Sequence, residues 1–210
     1  MADIIDEINE ELKQERMQAL FAKYGKIIMG IAGAVVAIVV VIQGYGIYQD
    51  SVREKAASAY FNALGQEEIG AALSEAKGDL AGGYDMLARF VTAAEMVAKD
   101  NKQDAYPIYI ALSEDSALNI VYRQFAAMQA VINAPEAVAV EELEALISPI
   151  AEAAGANQGL ALELMANLAL EKGDIAGAKA FLEKINSLQD APNGLRQRAI
   201  SLSTVLDAQS

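Results

Sequence analysis

The chain has 210 residues, 54% of them apolar, and a formal net charge of −13 at pH 7. That length holds one ordinary domain plus an extra segment, and the anionic balance is repelled by nucleic-acid phosphates, which argues against DNA or RNA binding. Cysteine and histidine are both absent, so disulfides, thiol nucleophiles, zinc sites of the usual kind and histidine acid–base catalysis are excluded as well.

Residues 1–26 read as a leader. Ile4, Ile5, Ile8, Leu12, Leu20 and Phe21 fall on a roughly helical stripe, which predicts an amphipathic helix lying on the membrane or on a partner. The six acids of the leader argue against simple lipid adsorption. From Ile27 to Ile42 no charged or strongly polar residue occurs, and after Gln43 the run continues from Gly44 to Tyr48. Residues 27–48 would extend about 33 Å as a helix, enough to span a bilayer. Tyr24, Tyr45 and Tyr48 sit at its two ends, where interfacial aromatics belong. The run is too long, and its leader too acidic, for a cleaved signal peptide. A retained transmembrane helix is therefore expected. Lys13, Arg16, Lys23 and Lys26 precede it and only Arg53 and Lys55 follow closely, so the N-terminus is expected in the cytoplasm and the large domain across the membrane. Gly30 with Ala34, and Gly33 with Ala37, are small-xxx-small pairs of the kind that let membrane helices pack closely; they also arise by chance in an Ala/Gly-rich span.

Residues 49–210 hold 23 acidic and 12 basic side chains, a balance whose plainest meaning is solubility. Alanine is abundant, aromatics make up 6%, and no stretch alternates long enough for a strand, so this domain is expected to be all-α. Ser51-Val-Arg-Glu54 is a capping-box pattern that predicts a helix start. Gly65, Gly82-Gly83, Asp100-Asn101 and Gly173-Asp174 punctuate the domain as turns. A shift of 34 residues aligns Lys55, Arg89 and Arg123, aligns Ala59, Ala93 and Ala127, and aligns Ala71 with Ala105. That period belongs to tetratricopeptide-like helix pairs. The clearest copy begins near Gly159: Met165, Ala166 and Ala169 fit a first helix, Gly173-Asp174 the turn, and Ala178 and Leu182 the second helix. Extra residues are expected around 133–140, Pro149 is expected to bend or end its helix, and 190–207 is expected to form a closing cap helix. Small residues at Ala59, Ala93, Ala105, Ala127 and Ala166 would allow close contact between paired helices.

The leader segment Phe21-Ala-Lys-Tyr-Gly-Lys26, the anchor 27–48, Ala59 with Tyr60, and Leu164 to Leu182 around Glu171-Lys-Gly-Asp174 together resemble a known family. The chain is similar, over nearly its whole length, to the tetratricopeptide-like ancillary subunits of the bacterial Sec translocon. The resemblance implies a single-pass inner-membrane protein whose domain faces the periplasm. It implies association with translocon subunits, with a membrane-anchored periplasmic chaperone of the prolyl-isomerase type, and with newly exported proteins.

Stacked helix pairs offer a surface for extended or helical segments of another chain. Tyr60, Arg89, Phe90, Arg123 and Phe125 are the candidates to line or border it, though each could equally be buried. Glu141, Glu142 and Glu144 form a charge cluster at helical spacing, which is usually a solvated face. No metal-binding motif, phosphate loop or nucleophile elbow occurs. The expectation is a non-enzymatic interaction protein without cofactor or small-molecule substrate; a structural subunit of another envelope complex is the alternative.

Overall fold

The computed structural model describes residues 38–208. The leader 1–26 and residues 27–37, with Gly30, Gly33, Ala34 and Ala37, lie outside the described residues. The described chain divides into two compact units between Lys55 and Ala56. In the first, residues 38–55 are helical, and Ile38, Val40, Ile42, Ile47 and Tyr48 are exposed. Among the described residues no helix is long and apolar enough to cross a membrane; the expected span reaches into them only through residues 38–48.

Helix α1 covers residues 38–64 and runs through Ser51 without a break. The capping pattern at Ser51 therefore opens no helix. A capping box matters only where preceding backbone leaves the helical region, and residues 47–64 contain neither glycine nor proline to force that. After it come α2 (Ile69–Glu75), a single 3-10 turn (Ala76–Gly78), α3 (Gly83–Ala98), α4 (Lys102–Glu114), α5 (Ile120–Ile132), α6 (Val140–Glu152), α7 (Gln158–Glu171), α8 (Ile175–Ser187) and α9 (Asn193–Ala208). The described residues contain no strand.

In the second unit each helix from α2 onward packs on the next in sequence, α5 also touches α7, and α7 touches α9. Odd-numbered helices thus form one layer and even-numbered helices the other. Two of the three helix pairs close with the same three-residue turn. At Lys99-Asp100-Asn101, Asp100 takes φ 60°, its N–H reaches Val97 O (2.9 Å) and the Asn101 N–H reaches Met96 O (2.8 Å). At Lys172-Gly173-Asp174, Gly173 takes φ 75°, its N–H reaches Leu170 O (2.9 Å) and the Asp174 N–H reaches Ala169 O (2.8 Å). Both are Schellman closures that satisfy the last carbonyls of the first helix. The third residue then caps the second helix: Asn101 accepts from Asp104 N–H and Asp174 from Gly177 N–H. The pair α5–α6 instead uses the long connection 133–139, where extra residues were expected. Helix α6 continues one turn past Pro149, whose own carbonyl accepts the Ala153 N–H at 3.2 Å.

The core runs between the layers. Leu112, Ile147, Leu182 and Ile185 are its largest fully buried side chains, each worth about 1.5–3 kcal/mol of burial. Alanines fill the places where helices come closest: Ala93, Ala105, Ala126, Ala130, Ala161, Ala166 and Ala178 are all 0% exposed. Ala127, Met165, Ala169 and Leu182 are buried too. Ala59 is only half-buried. On α1 the inward positions are Ala56, Tyr60 and Ala63, which lie three or four residues apart on one helical face, and Ala59 falls beside that face. Helix pairs begin at Gly83, Ile120 and Gln158 and the last helix at Asn193. These steps are wider than 34 residues, so Ala93 matches Ala130 by place in its helix, while Ala127 belongs to a different part of the core.

Candidate partner-binding face

Helix α5 carries Arg123 as its one charged residue and is apolar on nearly all sides. One side buries Ala126, Ala127, Ala130 and Val131; the opposite side leaves Val121 (53%), Phe125 (44%) and Ile132 (56%) exposed. Val121 and Phe125 sit at i and i+4 on one helical face and Ile132 at i+11, with buried Met128 between them at i+7. A surface helix ordinarily shows polar residues there. On α3 the corresponding face shows Leu87 (40% exposed) with half-buried Val91 and exposed Ala94. On α7 it shows Leu160, half-buried Leu164 and exposed Asn167.

Aromatic rings join these faces. The Phe90 ring of α3 lies 5.4 Å from that of Phe125, and Tyr84 at the start of α3 lies 6.4 Å from exposed Phe61. Between α5 and α7, Asn157 Nδ2 donates to Gln124 Oε1 at 3.0 Å. Exposed apolar side chains thus occur on α3, α5 and α7, while charged pairs occur in both layers. Glu141 and Glu144 on α6 pair with Lys172, and Glu163 on α7 forms two 2.7 Å hydrogen bonds with Arg198 of α9.

The two aligned arginines do a different job. Arg89 Nη1 donates to Asp115 Oδ2 at 3.0 Å, and Asp85 lies 3.9 Å away. Asp115 Oδ1 also accepts the Ala117 N–H (3.1 Å), which shapes the α4–α5 turn. The Arg89 hydrogen bond, then the Ala117 N–H and the charges of Arg89 and Arg123, hold the Asp115 carboxyl below the usual carboxylate range. Arg123 is half-buried and its Nε is enclosed without a partner among the described residues. Arg89 is thus tied to a structural corner.

Tyr60 is 8% exposed and packs with Ala63, Leu73 and Ala88. It belongs to the core and is not exposed; its ring is large enough to seal the α1–α2–α3 junction. Phe90 is half-buried beneath Phe125, and Phe125 alone of the five candidates is exposed. Sequence reading missed Leu87, Val121 and Ile132 as exposed residues and Asp115 as the arginine partner. The signal for the first group was the missing polar face of residues 120–132.

A cleft of about 510 Å³ opens between α2, α3 and α4, lined by Leu73, Leu80, Ala88 and Ile108 with Lys77 and Arg89 at its edge. Above it, Glu95 accepts the Gly70 N–H and pairs with Lys99 at 2.8 Å, while Lys99 also reaches Glu68 at 2.6 Å. Hydrogen bonding to Lys99 lowers the Glu95 pKa, and the Glu68 and Glu95 carboxylates raise that of Lys99. This pairing fixes the start of short helix α2 against the end of α3. Among the described residues no three Asp or Glu side chains gather to hold a metal.

No protein-family model, curated protein or solved structure matches this chain.

Proposed function

We propose that the chain is a membrane-anchored, non-enzymatic protein-interaction module of tetratricopeptide-like build. In this reading residues 27–48 anchor it in the bacterial inner membrane, and residues 49–210 work on the periplasmic side. There it assists the Sec translocon and a periplasmic chaperone in handling newly exported proteins. The observation that carries the interaction role is the exposure of apolar Leu87, Val121, Phe125 and Ile132. Exposed apolar side chains on neighbouring helices support a partner-binding role. The apolar run of residues 27–48, broken only at Gln43, and the excess of Lys and Arg on its N-terminal side support the anchor and its orientation. The family resemblance supports the translocon as neighbour. A tether raises the effective concentration of these side chains beside an exit channel, so weak contacts suffice.

Purification of the full chain from gently solubilised native membranes, followed by mass spectrometry, tests the reading. Translocon subunits, a periplasmic chaperone and a mixture of exported proteins are the expected companions. One stoichiometric partner outside the export machinery would overturn it in favour of a structural subunit.

A further inference from the structure

We propose that the cleft between α4, α5 and α6 binds a small organic monocarboxylate with an apolar body, held by the Arg123 guanidinium. The inference goes beyond the interaction reading above and does not depend on it.

Two arginines at matching places in successive helix pairs meet different surroundings. Arg89 and Arg123 stand equally far before the last residues of α3 (Ala98) and α5 (Ile132). Their partner helices α4 and α6 are both 13 residues long, and each is followed by a C-cap residue in extended backbone. In the first pair that residue is Asp115, whose Oδ2 accepts from Arg89 Nη1 at 3.0 Å. In the second pair it is Ala153, which has no carboxylate to offer. The Arg123 side chain enters no hydrogen bond or ion pair among the described residues, and its Nε is enclosed. Asp115 is near enough to feel the Arg123 charge, but it is already held by Arg89 and by the Ala117 N–H.

Arg123 lines a cleft of about 460 Å³ together with Ile120, Ala127, Leu146, Ile150 and Ala153. A half-buried cation beside apolar walls gives up hydration that no neighbour replaces. A carboxylate restores it, because the planar guanidinium fork matches two carboxylate oxygens. With Nε enclosed, the Nη edge is the one left for a ligand. Charge and size then select the rest of the molecule. Glu114 also lines the cleft, exposed and without an ion pair to Arg123 among the described residues. One cation beside one acid, in a domain of 23 acids against 12 bases, favours a monoanion over a dianion. The apolar walls favour a hydrocarbon body over inorganic phosphate or sulfate. Clefts that take small ligands run from about 300 to 1,000 Å³, so the volume suits a compact molecule.

The test uses the full-length chain in nanodiscs of zwitterionic lipid, with empty nanodiscs as the blank. The probes are phenylpropionate, its neutral amide, and acetyl-Leu-Glu-Leu-amide. Ligands of this size bind with a Kd on the order of 1 mM, which a saturation-transfer NMR titration reads. Phenylpropionate should bind at least about tenfold more tightly than its amide, a difference of about 1.4 kcal/mol. Arg123→Gln should weaken it about tenfold. Ala153→Asp, at an exposed position, gives the second pair the carboxylate that the first already has, and should weaken binding by a similar factor. Circular dichroism melts check that each variant is folded, and either folded variant alone decides the matter. Equal binding of acid and amide, no binding of either, or acid binding that both variants leave intact would overturn the proposal. Binding of the peptide without binding of phenylpropionate would assign the cleft to a protein partner and overturn it as well. The assay contains no translocon, so its result stands apart from the co-purification that tests the export reading.

Discussion

Asp115 shows how one residue can redirect another. Arg89 and Arg123, aligned by the repeat, look like a basic column on a binding surface. A carboxylate in the α4–α5 turn bonds Arg89, and Arg123 lies half-buried with its Nε enclosed. That arrangement carries a pH signature. The Asp115 pKa is lowered in the folded chain, so its contribution is complete above the ordinary carboxylate value of about 3.9 and declines as pH falls through the folded value below it. Asp115→Asn should lower the melting temperature at neutral pH. The gap between variant and parent should shrink as the pH is taken below about 4, and circular dichroism melts across that range check it. A gap that stays constant into acid would show that the carboxylate is not the group at work.

At the level of elements, the alanines divide by whether they face a neighbouring helix. Ala93 is 0% exposed and packs with Ala105, Tyr109 and Ala130. Ala93→Leu should cost about 1–3 kcal/mol by overpacking. Ala59→Leu, at a half-buried position on α1, should change stability by less than about 0.5 kcal/mol. Urea unfolding of both variants separates the two cases. These positions also show what was legible in the sequence. The turn residues Asp100-Asn101 and Gly173-Asp174 place two hairpins because their chemistry is local: one αL residue, then one side-chain cap. The cap helix α9 was visible from Leu195, Ala199, Leu202 and Leu206, all buried except half-buried Leu202. A fixed period was a poorer guide, because connections of unequal length separate the pairs and alanine is too common to register them. The Ser51 capping pattern misled because such a box is silent inside a continuing helix. Tyr60 misled because an aromatic on a first helix can seal a junction as readily as greet a partner. The exposed apolar residues were half legible: α5 has no polar face, but only packing decides which apolar side is left uncovered.

At the largest scale, α5 carries a single charged residue while ion pairs among the described residues occur in both layers. The even-numbered helices carry carboxylates paired with lysines, and Tyr106 of α4 joins Glu142 of α6 at 3.2 Å. Burial, then the charge of Glu142 and this hydrogen bond, push the Tyr106 hydroxyl up to about 12. Helices α3, α5 and α7 carry exposed Leu87, Phe125 and Leu160. The most direct measurement is therefore photo-crosslinking in native membranes from two single positions: Phe125 on α5 and Ala180, exposed on α8 of the other layer. The account predicts crosslinks from Phe125 to translocon subunits, a periplasmic chaperone and assorted exported proteins, with few from Ala180. Equal yields from the two positions, or one dominant partner outside the export machinery at Phe125, would contradict it.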